Sequence, residues 1–259
     1  MSSINKKSTV DRRVYIIDKL NTSGQVDVST LSHELDVSEV TIRNDLEKLE
    51  EKNILIRARG GAIKLDRVST DFSISDKHKQ HSEEKKRIGT AAAQFILEGE
   101  TIILDSGTTT MEIVKNLPKT ISLTVISNAL NIANQLSEHP EVNLIIPGGI
   151  LRKKSLSLVG SIAEENFKNF YCDKLFLAVD GIDAAYGVST PNLEEAQINR
   201  VMIAVSKQVI VVTDSSKFRK RCLSLISPVN NIDMVITDSG ILPEDRTKLE
   251  NSGVKVVVV

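Results

Sequence analysis

Metal-ligating and disulfide-forming residues are scarce in this sequence. It has two cysteines, Cys172 and Cys222, which are far apart, and four histidines whose spacing matches no metal-ligand pattern. Thiols without close spacing are typical of small, reduced core residues rather than of a metal site. We therefore expect neither a metal ion nor a cofactor.

Long apolar runs are absent as well. No stretch approaches the roughly 20 residues that a membrane-spanning helix needs, and residues 1–10 are polar, without the apolar segment of a signal peptide. The chain has 259 residues and a formal net charge of -1, which suits one small domain and one of ordinary size. We expect a cytoplasmic protein that has no membrane partner.

A helix with one apolar and one polar side is predicted near the N-terminus, opening at residues 37–46. Ile42, Leu46 and Leu49 recur at the spacing of a core-facing stripe. The residues predicted to point away from the core are Val40, Arg43, Asn44, Glu47 and Lys48. A short helix at about residues 29–35 precedes it across the tight Asp36-Val37 connection. Two helices joined by so few residues indicate a helix-turn-helix.

Residues 54–63 form two short β-branched runs around Gly60 and Gly61, which is the pattern of a small hairpin. Period-two alternation puts Arg57 and Arg59 on one face, where they can reach phosphates. The residues predicted to close the core are Ile54, Ile56 and Ile63 of the hairpin and Val14, Ile16, Ile17 and Leu20 of a first helix at about residues 12–21. Together these elements predict a winged helix-turn-helix at residues 8–65.

A recognition helix and a wing suggest an interface with double-stranded DNA. The residues we assign to it are Ser38, Val40, Thr41, Arg43, Asn44, Lys48, Arg57 and Arg59. Arg43 and Asn44 are expected at base edges, and the other basic residues on phosphates. The alternative is an ordinary domain with amphipathic helices, because residues 1–66 carry eleven basic and eleven acidic residues. The placement of the arginines on helix and wing favours DNA binding.

The rest of the chain predicts an α/β domain. Residues 66–86 are polar and charged and are interpreted as a linker, followed by residues 87–259 as one domain that begins with a helix at about 88–97. Apolar, β-rich runs occur at about residues 101–104, 122–126, 142–146, 174–179, 208–212, 233–236 and 254–258, with helical segments between most of them. Such alternation predicts a mostly parallel sheet that is covered on both faces.

In a parallel sheet, ligands bind where the strands end, so the residues after each strand are candidates. Asp105, Ser106, Gly107, Thr108, Thr109 and Thr110 follow the first strand and open a helix. Helix N-terminal amides and hydroxyls suit a phosphate, although a Ser or Thr there can also serve only as the helix cap. The further candidates from later loops are Gly148, Gly149, Asp180, Asp183, Glu194 or Glu195, and Lys217. Arg152, Lys153 and Lys154 are expected to be a solvated basic run.

These motifs resemble the DeoR family of bacterial transcriptional regulators. The resemblance rests on Arg12, Ile16, Leu20 and Ser38, and on residues 41–46, 59–62, 104–110, 147–149 and 212–217. It covers nearly the whole chain and is closest to repressors of amino-sugar catabolism. Asn44 departs from the arginine common in the family, so the operator sequence is not implied.

The resemblance implies an effector domain similar to the ribose-5-phosphate isomerase and glucosamine-6-phosphate deaminase group, which senses phosphorylated sugars. The predicted function is therefore a repressor that binds operator DNA as a homodimer or homotetramer and is controlled by a sugar phosphate, with no catalytic residue. One alternative is a sugar-phosphate isomerase or deaminase, for which Asp180, Asp183, Glu194 and Lys217 are chemically eligible. Another is a constitutive DNA-binding protein whose large domain only oligomerises, but this leaves the adjacent hydroxyls of residues 106–110 unexplained.

Overall fold

The computed structural model describes residues 9–23, 25–51, 54–58, 60–64 and 71–259. They form two compact units, one within Met1–Arg67 and the other within Val68–Val259. Arg59, which we assigned to the DNA interface, lies outside the described residues, as do the side chains of Ile56 and Ile63. Among the described helices, none combines the length and apolar character that crossing a bilayer requires.

The N-terminal unit is a winged helix-turn-helix. Its elements are α1 Thr9–Ser23, β1 Gln25–Asp27, α2 Val28–Leu35, α3 Glu39–Glu51, β2 Leu55–Ala58 and β3 Gly61–Lys64. The strands form an antiparallel sheet in the order β1-β3-β2, in which β1 is a strand that we did not predict. The turn between α2 and α3 passes through Asp36 in the left-handed conformation, where the backbone N–H of Asp36 bonds to the carbonyl of Ser32.

The core of this unit contains the predicted stripe of α3, together with Ile16, Leu20 and residues of α2. Two assignments differ from the prediction. Val14 is 51% exposed and is not part of the backing of the core. Among the described side chains of the wing, Leu55 and Ala62 are buried, each 1% exposed, and Ile54 is partly buried and packs against the core. Leu55 and Ala62 had not been assigned to the core.

The C-terminal unit is built around a parallel sheet. Its helices are α4 Ile74–Lys79, α5 Ser82–Ala93, α6 Thr108–Lys115, α7 Leu130–Leu136, α8 Ser161–Phe167, α9 Leu193–Ala204 and α10 Pro243–Asn251. Its strands are β4 Thr101–Leu104, β5 Leu123–Ile126, β6 Val142–Ile145, β7 Ile150–Arg152, β8 Ser157–Val159, β9 Cys172–Leu177, β10 Gly181–Asp183, β11 Gly187–Thr190, β12 Ser206–Val212, β13 Ser224–Ser227, β14 Met234–Thr237 and β15 Lys255–Val258.

The large sheet has seven strands in the order β15-β14-β12-β9-β4-β5-β6. Every neighbouring pair is parallel. These are the seven runs predicted from the sequence, and alternate residues of each central strand enter two separate cores. For example, Ile103 packs with α8 and α9 on one face, whereas Ile102 and Leu104 pack with α5 and α6 on the other. A hairpin of β7 and β8 and a small antiparallel sheet of β10, β11 and β13 are additions that we did not predict.

The chain changes direction across the sheet between β4 and β9. From β4 it runs outward through β5 to β6, and it then returns to place β9 on the other side of β4, followed by β12, β14 and β15. Such a reversal opens a crevice at the carboxyl ends of the two strands, because the connections leave them in opposite directions. The loops after β4 and β9 therefore face the same crevice.

Part of the predicted linker is helical. Residues 71–86 include α4 and the start of α5, which begins at Ser82 rather than near Ile88 and ends at Ala93. The buried stripe of α5 consists of Lys85, Ile88, Gly89 and Ala92. A lysine at the first position of this stripe breaks the apolar pattern, which is why the sequence predicted a later start.

Candidate functional sites

One face of α3 is free of the core. Val40 is 61% exposed, and Arg43, Asn44, Glu47 and Lys48 are also exposed. The opposite residues of α3 are buried. The predicted division of this helix into a core-facing and an open side is therefore confirmed.

The cations on this face are paired only locally. Arg43 Nη2 lies 2.6 Å from Glu39 Oε2, and Lys48 Nζ lies 2.8 Å from Glu51 Oε1. Exposed pairs within one helix are weak and screened by salt. Both side chains are therefore able to exchange a carboxylate for another anion at little cost.

Ser38 and Thr41 serve the start of α3. The Ser38 hydroxyl accepts from the backbone N–H of Thr41 at 3.2 Å, and the two hydroxyl oxygens are 2.9 Å apart. The N–H of Thr41 would otherwise lack an intrahelical acceptor. Ser38 and Thr41, which we assigned to the DNA interface, are thus engaged in the helix cap, next to the exposed side of α3.

Asp45 links α3 to α1 through the interior. It is 2% exposed and accepts hydrogen bonds from Arg12 Nε at 2.9 Å and Arg13 Nε at 2.7 Å. A buried carboxylate needs such cationic partners. No structural role had been predicted for Asp45. Its position next to an apolar stripe residue, Leu46, gave no signal of the pairing.

The wing carries Arg57 on its exposed side. The backbone N–H of Arg57 donates to Glu50 Oε1 at 2.9 Å, so the strand β2 is tied to the end of α3. The guanidinium of Arg57 remains directed away from the core of the unit. Helix and wing thus each present an arginine to solvent.

A pocket lies at the carboxyl ends of β4, β9 and β12. Its predicted members are Asp105, Ser106, Gly107, Thr108, Thr109, Asp180, Lys217 and Glu195, the last of which we gave as an alternative to Glu194. Its other lining residues are Phe72, Ile74, Lys77, Lys85, Ser155, Ala178, Val179, Thr190, Asn199, Thr213 and Asp214. The structure therefore brings together three loops that are distant in the sequence.

Four predicted site residues do not line this pocket. Thr110 is fully buried, and its hydroxyl is within hydrogen-bond distance of the Asp105 and Gly107 carbonyls. Gly148 and Gly149 follow β6, which is the edge strand and not a neighbour of β9. Glu194 is exposed, whereas the next residue, Glu195, is buried and lines the pocket. Asp183, a further candidate, instead pairs with Arg221 at 2.9 Å.

The loop after β4 is held in a conformation that requires glycine. A Cβ at Gly107 would lie 2.3 Å from the Cβ of Ala178 and 2.9 Å from Thr110 Oγ1. The N–H of Gly107 donates to Thr110 Oγ1 at 2.9 Å, and α6 begins at the next residue. The first amides of α6 have no acceptor within the helix, so they and the hydroxyls of Ser106, Thr108 and Thr109 provide donors for an anion.

Asp105 is a buried acid in this loop. It is 4% exposed, and within the described structure its Oδ1 atom has no hydrogen-bond partner. Burial raises the pKa of Asp105 to about 8, against the lowering effect of the Ala178 backbone and the Thr110 hydroxyl. Asp105 is therefore largely protonated at neutral pH, so it can donate a hydrogen bond next to an anion rather than repel it.

Lys77 and Asp180 form an ion pair in the pocket wall. Lys77 Nζ lies 2.7 Å from Asp180 Oδ1, and the Thr190 hydroxyl lies 3.3 Å from Asp180 Oδ2. Burial alone would raise the pKa of Asp180, but Lys77 and Lys217 lower it below its ordinary value. Burial would likewise lower the pKa of Lys77, yet Asp180 raises it. Both groups are thus charged at neutral pH.

Two further lysines line the pocket. Lys85 is 5% exposed and donates to the carbonyls of Lys77 at 2.5 Å and Gln80 at 2.7 Å. Burial lowers the pKa of Lys85 to about 8, despite the nearby carboxylate of Asp214. Lys217 also lines the pocket, and among the described residues no hydrogen bond or ion pair engages its ammonium group, so it is available to a ligand.

Lys77 and Lys85 were not predicted as site residues because they lie in the segment interpreted as a linker. The only signal was the position of Lys85 on the apolar stripe of α5. Within the described ranges, no group of three or more His, Cys, Asp or Glu side chains is arranged to hold a metal ion.

Two family models match the chain. A DeoR-like helix-turn-helix domain matches residues 12–68, and a DeoR C-terminal sensor domain matches residues 80–239. The chain belongs to the DeoR family. In this family member, the helix-turn-helix match includes all elements from α2 to β3, and the sensor match contains every pocket residue from Lys85 to Lys217. Phe72, Ile74 and Lys77 lie before the sensor match.

Relatives that match nearly the whole chain are named as transcriptional repressors. One is a protein of Escherichia coli O157:H7 named as an aga operon transcriptional repressor, 43% identical over 97% of this chain and 94% of its own length. Another is the transcriptional repressor GlcR of Bacillus subtilis strain 168, 36% identical over 96% and 95%. Among solved structures, the ribose 5-phosphate isomerase A of Methanocaldococcus jannaschii matches 54% of this chain and 56% of its own, with 14% identity and a TM-score of 0.41.

Proposed function

We propose that this DeoR-family protein is a sequence-specific repressor of a sugar or amino-sugar catabolic operon, and that a phosphorylated sugar in the pocket controls its binding to operator DNA. The observation that carries the sensor part is the pocket at the crevice between β4 and β9. It combines the N-terminal amides of α6, a protonated Asp105 and the available ammonium of Lys217.

In this proposal the phosphate binds to the amides and hydroxyls of residues 106–109 and to Lys217. Sugar hydroxyls donate to the carboxylates of Asp180 and Glu195, which also line the pocket. The names of the relatives, an aga operon repressor and GlcR, support a sugar operon as the target. The aga relative favours an amino-sugar phosphate, of which N-acetylgalactosamine 6-phosphate is the first probe.

DNA binding is assigned to the exposed face of α3 and to the wing. Arg43, Asn44 and Val40 contact base edges, and Lys48, Arg57 and Arg59 contact phosphates. A single helix reads only a short half-site, so we propose a homodimer or homotetramer that engages repeated half-sites. Binding without turnover is sufficient for such a sensor, and we assign it no catalytic residue.

The test is a fluorescence-anisotropy titration of the full chain on DNA from its own promoter region at fixed salt. Salt must be fixed because phosphate contacts make the affinity depend strongly on it. The titration is repeated with N-acetylgalactosamine, galactosamine, glucosamine, tagatose and ribose phosphates. The controls are a scrambled duplex of equal length and N-acetylgalactosamine without phosphate.

The expected result is tighter binding to promoter DNA than to scrambled DNA, and a change in Kd with one sugar phosphate but not with its unphosphorylated sugar. Equal binding to both duplexes would refute the operator assignment. Consumption of a sugar phosphate, measured in the same samples by NMR, would instead support an isomerase or deaminase.

A further inference from the structure

We predicted that Arg152, Lys153 and Lys154 form a solvated basic run; Lys153 and Lys154 are exposed, but for Arg152 the prediction is wrong. Its side chain is 11% exposed and lies between two carboxylates. One end of the guanidinium, Nη2, is paired with Asp71. The other end, Nη1, lies 3.2 Å from Glu195 Oε1 and 2.8 Å from Ser155 Oγ. A buried guanidinium is retained only with such partners, so both contacts are structural requirements.

Glu195 connects this cluster to the pocket. It lines the pocket and is 8% exposed. Its Oε2 atom lies 3.4 Å from the Thr190 hydroxyl, and Thr190 also contacts Asp180. Neither Arg152 nor Asp71 lines the pocket. The guanidinium therefore contacts a pocket residue from behind.

Asp71 connects the same cluster to the segment by which the chain enters the C-terminal unit. It follows Arg67, the last residue of the N-terminal unit, by only a few positions in the sequence. Lys154 Nζ lies 3.3 Å from Asp71 Oδ2, and the backbone N–H of Ile74 donates to the Lys154 carbonyl at 2.8 Å. The β7–β8 hairpin thus holds this entry segment, residues 71–74, through one backbone and two side-chain contacts.

We propose that Arg152 is a positioning residue that couples occupancy of the pocket to the entry segment. A ligand hydroxyl that donates to Glu195 competes with the guanidinium for that carboxylate. Arg152 then interacts mainly with Asp71, and the hold on the entry segment changes. This inference rests on the proposed function, because it explains how a sugar phosphate in the pocket alters operator affinity.

The decisive variant is Asp71→Asn, because Asp71 lies outside both the pocket and the exposed face of α3. Operator Kd is measured with and without N-acetylgalactosamine 6-phosphate, and ligand Kd is measured by calorimetry. We expect the operator Kd measured without ligand and the ligand Kd measured without DNA each to stay within about twofold of the wild-type value. The effect of the ligand on operator Kd should shrink by about fivefold or more, since typical couplings are 5- to 150-fold.

Three further variants separate coupling from a general loss of structure. Arg152→Lys keeps the charge but loses the fork that bridges two carboxylates, so it should lose coupling as well. The double variant with Asp71→Asn should lose little more coupling than either single variant, because both changes break the same contact between Arg152 and Asp71. Glu165→Gln, on α8, removes an exposed pair with Lys168 and should leave the effect of the ligand on operator Kd as it is in the wild type.

The outcomes distinguish this inference from the function on which it rests. If the wild type shows no ligand effect on operator Kd with any sugar phosphate of the panel, both proposals are wrong. If the wild type responds and Asp71→Asn responds equally, only the role of Arg152 is wrong. A weaker ligand Kd in Asp71→Asn would also contradict it, because that result indicates a role in shaping the pocket instead.

Discussion

The exposed face of α3 and the pocket between β4 and β9 both carry several charges, but these charges are paired over very different distances in the sequence. On α3, Arg43 pairs with a glutamate one turn away. In the pocket, Lys77 pairs with Asp180, which is 103 positions away, and both are largely buried. The first arrangement is set by one helix, and the second by the whole fold.

This difference bears on what each site can do. Exposed pairs contribute little to stability, so the pairs on α3 can break when a polyanion such as DNA approaches. A buried pair is costly to break, so Lys77 and Asp180 hold their part of the pocket wall whether or not a ligand is bound. We therefore expect changes on α3 to alter association with little effect on stability, and changes in the pocket to alter ligand affinity or stability.

The largest effect on ligand affinity is expected for Lys217→Met. It removes the ammonium that is available to a phosphate, so the Kd for the sugar phosphate should rise by about 100-fold. Binding to operator DNA without ligand should not change. Calorimetry measures the first quantity and anisotropy the second. The matched control is Lys207→Met at the exposed start of β12, and equal ligand affinities in the two variants would exclude Lys217 from the site.

A pH dependence should separate the pocket from α3. Because the pKa of Asp105 is raised to about 8 from 3.8, the folded chain binds the proton more tightly than the unfolded chain. The stability from this group is therefore full below about pH 4 and is lost as the pH rises to about 8. Relative to Asp105→Asn, the wild type should lose about 3 kcal/mol of unfolding free energy between about pH 5 and 7.5.

Urea unfolding followed by circular dichroism at the two pH values measures this difference. Glu98→Gln, an exposed acid outside the pocket, serves as the control and should follow the wild type. If the unfolding free energy of Asp105→Asn changes with pH as much as that of the wild type, the carboxyl group of Asp105 is already ionised at pH 5.

On α3, Arg43→Ala should weaken specific operator binding by about 1–3 kcal/mol and leave binding to scrambled DNA nearly unchanged. Ligand affinity should also be unchanged. Anisotropy titrations on both duplexes provide the measurement. Arg246→Ala on α10 removes an arginine with the same local pairing, to Glu250, and should have no effect. If both duplexes lose affinity equally in Arg43→Ala, this arginine contacts phosphates rather than bases.

The smallest effect is expected for Glu39→Gln, which frees Arg43 from its local partner. Such exposed pairs are worth about 0.3–0.5 kcal/mol, so thermal stability should barely fall. Operator affinity should rise slightly at low salt, because an acid next to the arginine is removed. Titrations at low and high salt test this, and an affinity gain that persists at high salt would contradict a screened electrostatic cause.

The same contrast explains what the sequence could predict. The two sides of α3 follow from the spacing of Ile42, Leu46 and Leu49 alone, because a helix fixes the direction of its own side chains. The seven strands were likewise evident as apolar runs. The loop of residues 105–109 was identified because the carboxyl end of a parallel strand is the expected place for a ligand.

The order of the strands could not be read in the same way. Gly148 and Gly149 also follow a strand, but β6 lies at the edge of the sheet, away from the crevice. Lys77 and Lys85 come from a charged segment before the sheet, where sequence pattern indicated a linker. Their placement depends on burial and on partners such as Asp180, which no local pattern reveals.

The close contact at Gly107 has a consequence for how pockets of this kind diversify. Because a Cβ there would lie 2.3 Å from the Cβ of Ala178, the loops after β4 and β9 touch without room for any side chain at position 107. The pocket thus has a fixed width at this point. Phe72 and Ile74 contribute side chains to the same pocket from the entry segment, where a change of size meets no such backbone constraint. A substitution at either position would therefore change both the contacts of the ligand and the segment that adjoins the DNA-binding unit in sequence, so ligand preference and response can be altered together.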